Sequence, residues 1–326
     1  MYDFYLMHEN TKVLKFNITV DINVFTNLCE FEIINKRYLP YPVKLAKEED
    51  RCAKFWLWFT TRYMDRQQEG FLDFTNFLHN NFTNRGYKVH YFCSLFTYGM
   101  SLNDHYWLNP VKEIELGRFL DAGCPYRFKL SPTVYSVARE NFLDWDNDIE
   151  KIMLLTWQDK YKELAKINHL SISLNSPNFT LPGDRMKMWK REGDKIVCEK
   201  FYKEKDMSKM QKALDISAVT AGMKHFVTRI PASEYSIKSD CFLKENEEFV
   251  TLSQFLMSYK LEEINDLSIY KFLKNICLDA GLYKEYLQER DILKEKFGIT
   301  DFEFWNKLGF IIDSKSQRII DIMNTI

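Results

Sequence analysis

Four polar side chains in the second half of the chain have the types and the order that phosphoryl transfer draws on: Lys200, Asp215, Asp301 and Asn306. That chemistry takes a strand lysine to hold nucleotide phosphates, a carboxylate on the next helix to orient it, and a D-x4-N pair supplying base and metal ligand. Lys200 suits the first role, because alternation puts Ile196, Cys198 and Lys200 on one face of a strand and Val197 and Phe201 on the other. The alternative is a solvated strand lysine. Asp215 falls on the following helix, where by itself it is an ordinary surface aspartate. Asp301 and Asn306 have the D-x4-N spacing, a match that a chain of this length produces about once by chance.

Other chemistries lack their residues. The chain has no Walker-type glycine loop, no G-x-G-x-x-G, no H-E-x-x-H and no G-x-S-x-G. Its 6 histidines are scattered singly, which argues against a histidine-built metal centre. The 7 cysteines are odd in number and widely spaced, so they read as reduced thiols. The 45 basic and 46 acidic side chains nearly cancel, which removes the electrostatic case for nucleic acid or an anionic membrane as main partner. The amino terminus lacks the basic start and apolar run of a signal peptide, and no apolar run approaches the roughly 20 residues of a membrane helix; both point to the cytoplasm.

The elements that must position the polar residues follow from periodicity. With 46% hydrophobic and 16% aromatic residues over 326 positions, the chain has material for two cores, or for one with a large appendage. Alternation from Tyr2 to about Ile34 predicts a small sheet closed by Pro40 and Pro42. A helical pair follows from Glu48 to Phe82, with Phe55, Trp56 and Phe59 on one arc and Phe71, Phe74, Phe77 and Leu78 on another. Asp144 to Lys166 reads as a helix, and the Ser, Asn and Pro-rich stretch from His169 to Gly183 as a boundary. Arg185 to Arg191 and Lys195 to Phe201 form a hairpin around Gly193, followed by a helix that Ser208 and Gln211 cap and whose inner face carries Leu214, Ala218 and Ala221. Strands near Phe226 to Ile230 and Tyr235 to Leu243 precede a mainly helical block ending at Gly298, in which Ile269 to Ile276 is a helix capped by Gly281. Phe310 to Ile312 and Arg318 to Ile322 make a last hairpin. The fold class is α+β, divided as 1–110 (sheet plus helical pair), 111–174 (connecting helical segment) and 175–326.

Particular wording ties these elements to a family. Ser101-Leu-Asn-Asp-His-Tyr-Trp107 resembles the S-L-x-D-x-Y-W segment of a bacterial and phage group of HipA-like kinases, and Asp104 in it also suits a plain structural role, capping a helix and filling a core. The segments Ser176-Pro-Asn-Phe-Thr180 to Trp189, Gly193 to Lys200, and Gly309-Phe-Ile-Ile-Asp313 resemble successive landmarks of that group's kinase domain, so the resemblance runs from near residue 50 to the end. It implies a kinase-like region from about Asn175 with an incomplete carboxyl-terminal lobe. It also implies that the Ser176 to Gly183 loop, with Thr180, covers the phosphates of ATP, that Lys200 contacts them, and that Asp215 replaces the family's helix glutamate.

The same resemblance implies Asp301 as catalytic base and Asn306 as ligand to Mg2+ in Thr300-Asp301-Phe-Glu-Phe-Trp-Asn306-Lys-Leu-Gly309, which resembles T-D-R-H-x-x-N-F-G but loses the Arg-His and gains a residue. If the insertion is placed earlier, Phe302 and Lys307 occupy the two catalytic positions. The family's Asp-Ser-Gly would come about where the chain stops at Ile326, which leaves Asp321, ahead of Asp313, as the stand-in second metal ligand. Three readings follow: a pseudokinase binding a protein or nucleotide, an active Ser/Thr kinase using Mg-ATP, and a nucleotide-independent interaction module of a toxin-antitoxin or phage-host system presenting Trp56, Trp58 and Phe74. The departures at the catalytic end favour the first.

Overall fold

The structure, a computed structural model, describes residues 2–21, 24–26, 31–62, 98–115, 129–143, 187–258, 266–276 and 280–325. These residues form a mixed α+β arrangement of small antiparallel sheets and helices. The amino-terminal part contains β1 (Tyr2–His8), β2 (Thr11–Asp21), β3 (Val24–Thr26), β4 (Phe31–Ile33), α1 (Tyr41–Leu45) and α2 (Arg51–Phe59). Next come β5 (Tyr106–Pro110), β6 (Ile114–Glu115), β7 (Lys129–Leu130) and α3 (Tyr135–Leu143). Then follow β8 (Lys187–Glu192), β9 (Lys195–Phe201), α4 (Met207–Thr220), β10 (Ile230–Ser233), β11 (Ser236–Asp240) and β12 (Glu247–Thr251). Four helices, α5 (Leu252–Leu256), α6 (Asp266–Ile276), α7 (Ala280–Phe297) and α8 (Asp301–Lys307), lead to β13 (Leu308–Asp313) and β14 (Arg318–Asn324).

Two compact units result, 1–39 with 59–188 and 40–58 with 189–326. Composition marks boundaries near 110 and 174, whereas the units divide at 188, and residues 40–58 belong with the carboxyl-terminal unit. Side chains account for the latter: the Tyr41 ring packs 4.5 Å from that of Phe255, and its hydroxyl donates to the Gln317 carbonyl at 2.9 Å. The helix expected over 144–166, the loop over 169–183 and the Phe71 to Leu78 arc lie outside the described residues.

In the first unit β1 sits between β2 and β5, with Phe4 opposite Phe16 and Leu6 opposite Leu14 on one side and Leu108 on the other. All five are buried, each such side chain contributing roughly 1.5–3 kcal/mol. The Ser101 to Trp107 segment feeds β5. Asp104 does not cap a helix. It receives Arg62 in a two-pronged ion pair, Nη1 to Oδ2 at 2.8 Å and Nη2 to Oδ1 at 2.9 Å, and accepts the Tyr106 N–H at 3.0 Å. Arg62 also donates to the Gly99 and Tyr106 carbonyls, and the buried Trp107 indole donates to the Glu9 carbonyl at 2.7 Å.

In the second unit the strand orders are β10-β11-β9-β8 and β12-β13-β14. The β8–β9 hairpin turns at Gly193, whose φ of 62° suits a residue without Cβ. The terminal β13–β14 hairpin also forms where alternation places it. Three local expectations are corrected. α4 starts at Met207 behind Asp206, so Ser208 is already inside the helix and does not cap it; its buried positions are Met210, Ile216, Ser217 and Thr220 rather than Ala218 and Ala221. Gly281 lies in the first turn of α7; the glycine that ends a helix is Gly298, at φ 63°, donating to the Lys294 carbonyl. In α2 the buried stripe is Phe55, Trp58 and Phe59, at i, i+3 and i+4, with Trp56 only half-buried. Trp58 is thus core and presents no surface, while Phe74 lies outside the described residues.

Candidate functional site

The site candidates begin on β9. Val197 and Glu199 are buried on one face, and Lys200 points to the other, directly opposite Ile237 of β11. Ile237, Tyr202 and Met210 form a small cluster with Met207, Ala213 and Leu214, so α4 covers the Lys200 face. The Lys200 ammonium lies 5.9 Å from the Tyr202 ring centroid. Asp215 does not meet it. That carboxylate is on the solvent side of α4 and accepts from Gln211 Nε2 at 2.8 Å, one helical turn away. Thr180 lies outside the described residues.

Asp301 and Asn306 occupy a helix, not an open loop. Thr300 Oγ1 accepts the Glu303 N–H at 3.2 Å while Glu303 Oε2 accepts the Thr300 N–H at 2.8 Å, a reciprocal cap that starts α8. The backbone bond from Thr300 holds the Glu303 carboxyl below its ordinary range. Five residues along an α-helix turn by about 140°, so Asp301 and Asn306 project in divergent directions. Phe304 between them is buried, and Asn306 is exposed. Asp301 is held from α7: Lys294 Nζ lies 3.0 and 3.1 Å from its two oxygens, and Arg290 Nη1 lies 3.3 Å from Oδ1.

Asp321, on β14, meets a second set. Lys224 Nζ is 3.1 Å from its Oδ2, and His225 Nε2 is 3.5 Å from its Oδ1. His225 is fully buried, with Nδ1 2.9 Å from Glu289 Oε2 of α7, and Glu289 Oε1 accepts the Lys224 N–H at 3.2 Å. Residues 225–227 run beside β14: the Asn324 N–H donates to the His225 carbonyl and the Val227 N–H to the Asn324 carbonyl. Asn324 Nδ2 donates to the Tyr286 hydroxyl and to the Phe304 carbonyl, both at 3.1 Å. Burial raises the Tyr286 hydroxyl's pKa well above its ordinary value, so it stays protonated.

α7 is therefore the spine of the site. Tyr286, Glu289, Arg290, Leu293 and Lys294, spaced i, i+3, i+4, i+7 and i+8, form one stripe; Arg290 and Lys294 hold Asp301, and Glu289 holds the histidine that faces Asp321. Sequence reasoning singled out Asp301 and Asp321 but not the residues that surround them, His225, Glu289, Arg290, Lys294 and Asn324. The helical spacing of charges on α7 was the available signal.

Magnesium takes near-octahedral oxygen donors, usually one or two carboxylates with waters. Asp301 and Asp321 have the right donors, but each already carries a lysine ammonium, and the two ring nitrogens of His225 direct Glu289 and Asp321 to opposite sides. Among the described residues no three His, Cys, Asp or Glu side chains converge on a cation. As they stand, these residues do not fit the ion. Compared with models of protein families, with curated proteins and with solved structures, the chain matches none.

Proposed function

We propose that the chain is a HipA-like kinase-fold protein that acts by binding a protein or a nucleotide, with little or no phosphoryl transfer. The order of elements supports the kinase-like part: a hairpin with Lys200 on its second strand, a covering helix, three further strands, a helical block and a terminal hairpin. One observation carries the rest. Asp301 is tied to Lys294 and Arg290 at the head of a capped helix that turns Asn306 away, whereas phosphoryl transfer needs base and metal ligand converging on one phosphate.

The test is a thermal-shift titration with ATP, with and without magnesium, on wild type and Lys200→Ala, beside an autophosphorylation assay. A ligand that binds only the folded state raises its stability. The expected result is a shift that needs Lys200, does not need magnesium, and comes with no transferred phosphate. Phosphate transfer dependent on Lys200 and Asp301 would sink the proposal. Absence of any shift at millimolar ATP would remove the nucleotide and leave a protein partner.

A further inference from the structure

Both carboxylates that the kinase reading uses, Asp301 as base and Asp321 as second metal ligand, have an ammonium against them, Lys294 Nζ at 3.0 Å from Asp301 and Lys224 Nζ at 3.1 Å from Asp321. We infer that Lys224 and Lys294 are built-in counter-cations which neutralise these two carboxylates in place of a divalent ion, so that the site takes its ligand without magnesium. The inference rests on the functional reading given above and concerns its cofactor.

Both lysines are placed for this by the chain around them. Lys294 stands in the last turn of α7, where the helix dipole favours a positive charge, and Arg290 one turn earlier adds a second cation to Asp301. Lys224 is fixed at its root, since its own N–H donates to Glu289 and the next residue is the buried His225. Asp321 is committed at both oxygens: Oδ2 to Lys224, and Oδ1 to the Ile322 N–H at 2.9 Å, with His225 Nε2 nearby. A magnesium ion entering either position would have to shed water and displace a tethered ammonium of like sign. Removing the ammonium leaves a carboxylate whose charge a divalent ion can then neutralise.

The experiment compares thermal midpoints in millimolar MgCl2 and in KCl of equal ionic strength, without nucleotide. It uses wild type, the double variant Lys224→Met with Lys294→Met, and Lys244→Met as a control at a lysine that pairs with Glu247 elsewhere on the surface. Both target lysines are partly exposed, so their removal leaves the core intact. Wild type and Lys244→Met are expected to be indifferent to magnesium, while the double variant melts lower in KCl and recovers by about 2 °C or more in MgCl2. A magnesium shift in wild type or in Lys244→Met as large as in the double variant overturns the inference, as does a folded double variant that ignores magnesium. Because no nucleotide is present, phosphoryl transfer or failed ATP binding would count against the proposed function and leave this result standing.

Discussion

Asp104 and Asp301 are both aspartates gripped by cations, and they are gripped very differently. Asp104 is 9% exposed and Arg62 2%; the pair is two-pronged, and backbone groups of Gly99 and Tyr106 satisfy what remains. Asp301 is 41% exposed; the single Lys294 ammonium bridges its two oxygens and Arg290 reaches one of them, in partial solvent. The first arrangement cannot be loosened without stranding a buried charge. The second exchanges partners at small cost, which is what a site that meets a ligand requires. The most specific wording in the sequence, Ser101 to Trp107, thus belongs to the locked pair.

Substitutions can break or sharpen this contrast. Asp104→Ala leaves the Arg62 guanidinium buried and unpaired and should cost roughly 3–5 kcal/mol in urea unfolding. A loss below about 1 kcal/mol would erase the distinction between the two pairs. His225→Ala is expected to cost about 1.5–3 kcal/mol, because Glu289 loses a charge-assisted partner in a buried setting; a neutral result would mean that the network on α7 contributes only shape. Gly309→Ala tests whether the second unit is tightly packed even where its charges are loose. A Cβ there would fall 2.3 Å from two Phe249 ring carbons, for a loss of about 1–3 kcal/mol that Phe249→Leu in the same chain should partly restore.

Thr300→Ala removes half of the α8 cap and should cost about 1 kcal/mol at neutral pH. The Glu303 carboxyl is lower in the folded than in the unfolded state, so its contribution is present above the unfolded value of about 4.3 and is lost as pH falls through the folded one. The gap between the melting curves of Glu303→Ala, which removes this carboxyl, and wild type should accordingly narrow on acidification below pH 4. Asp301→Asn, the loose counterpart of Asp104, should change stability by about 1 kcal/mol or less. A larger loss would mean that Asp301 is structural.

Much of the fold was legible where the cause is local. The β8–β9 and β13–β14 hairpins follow from alternation and turn residues a few positions apart. The small amino-terminal sheet follows likewise. The helix at Asp301 was misread although its signal was equally local, because Thr300 and Glu303 spell a capping box inside the D-x4-N spacing, while the similar pattern at Ser208 and Gln211 starts two residues past the capping position of its helix, Asp206, and cannot act. What periodicity does not encode is pairing at a distance. Arg62 finds Asp104 across 42 positions and His225 finds Glu289 across 64, and nothing in either neighbourhood names its partner.

The assignment of residues 40–58 to the carboxyl-terminal unit also governs the order in which the molecule can be completed during synthesis. Tyr41 and its carbonyl partner on Gln317 are 276 positions apart. At the roughly 5–20 residues per second of a ribosome, the apolar groups of Val43, Phe55 and Trp58 wait on the order of 15–55 s for the chain that buries them. Throughout that interval they stay without their partners, and the second unit closes only after residue 317 has been made.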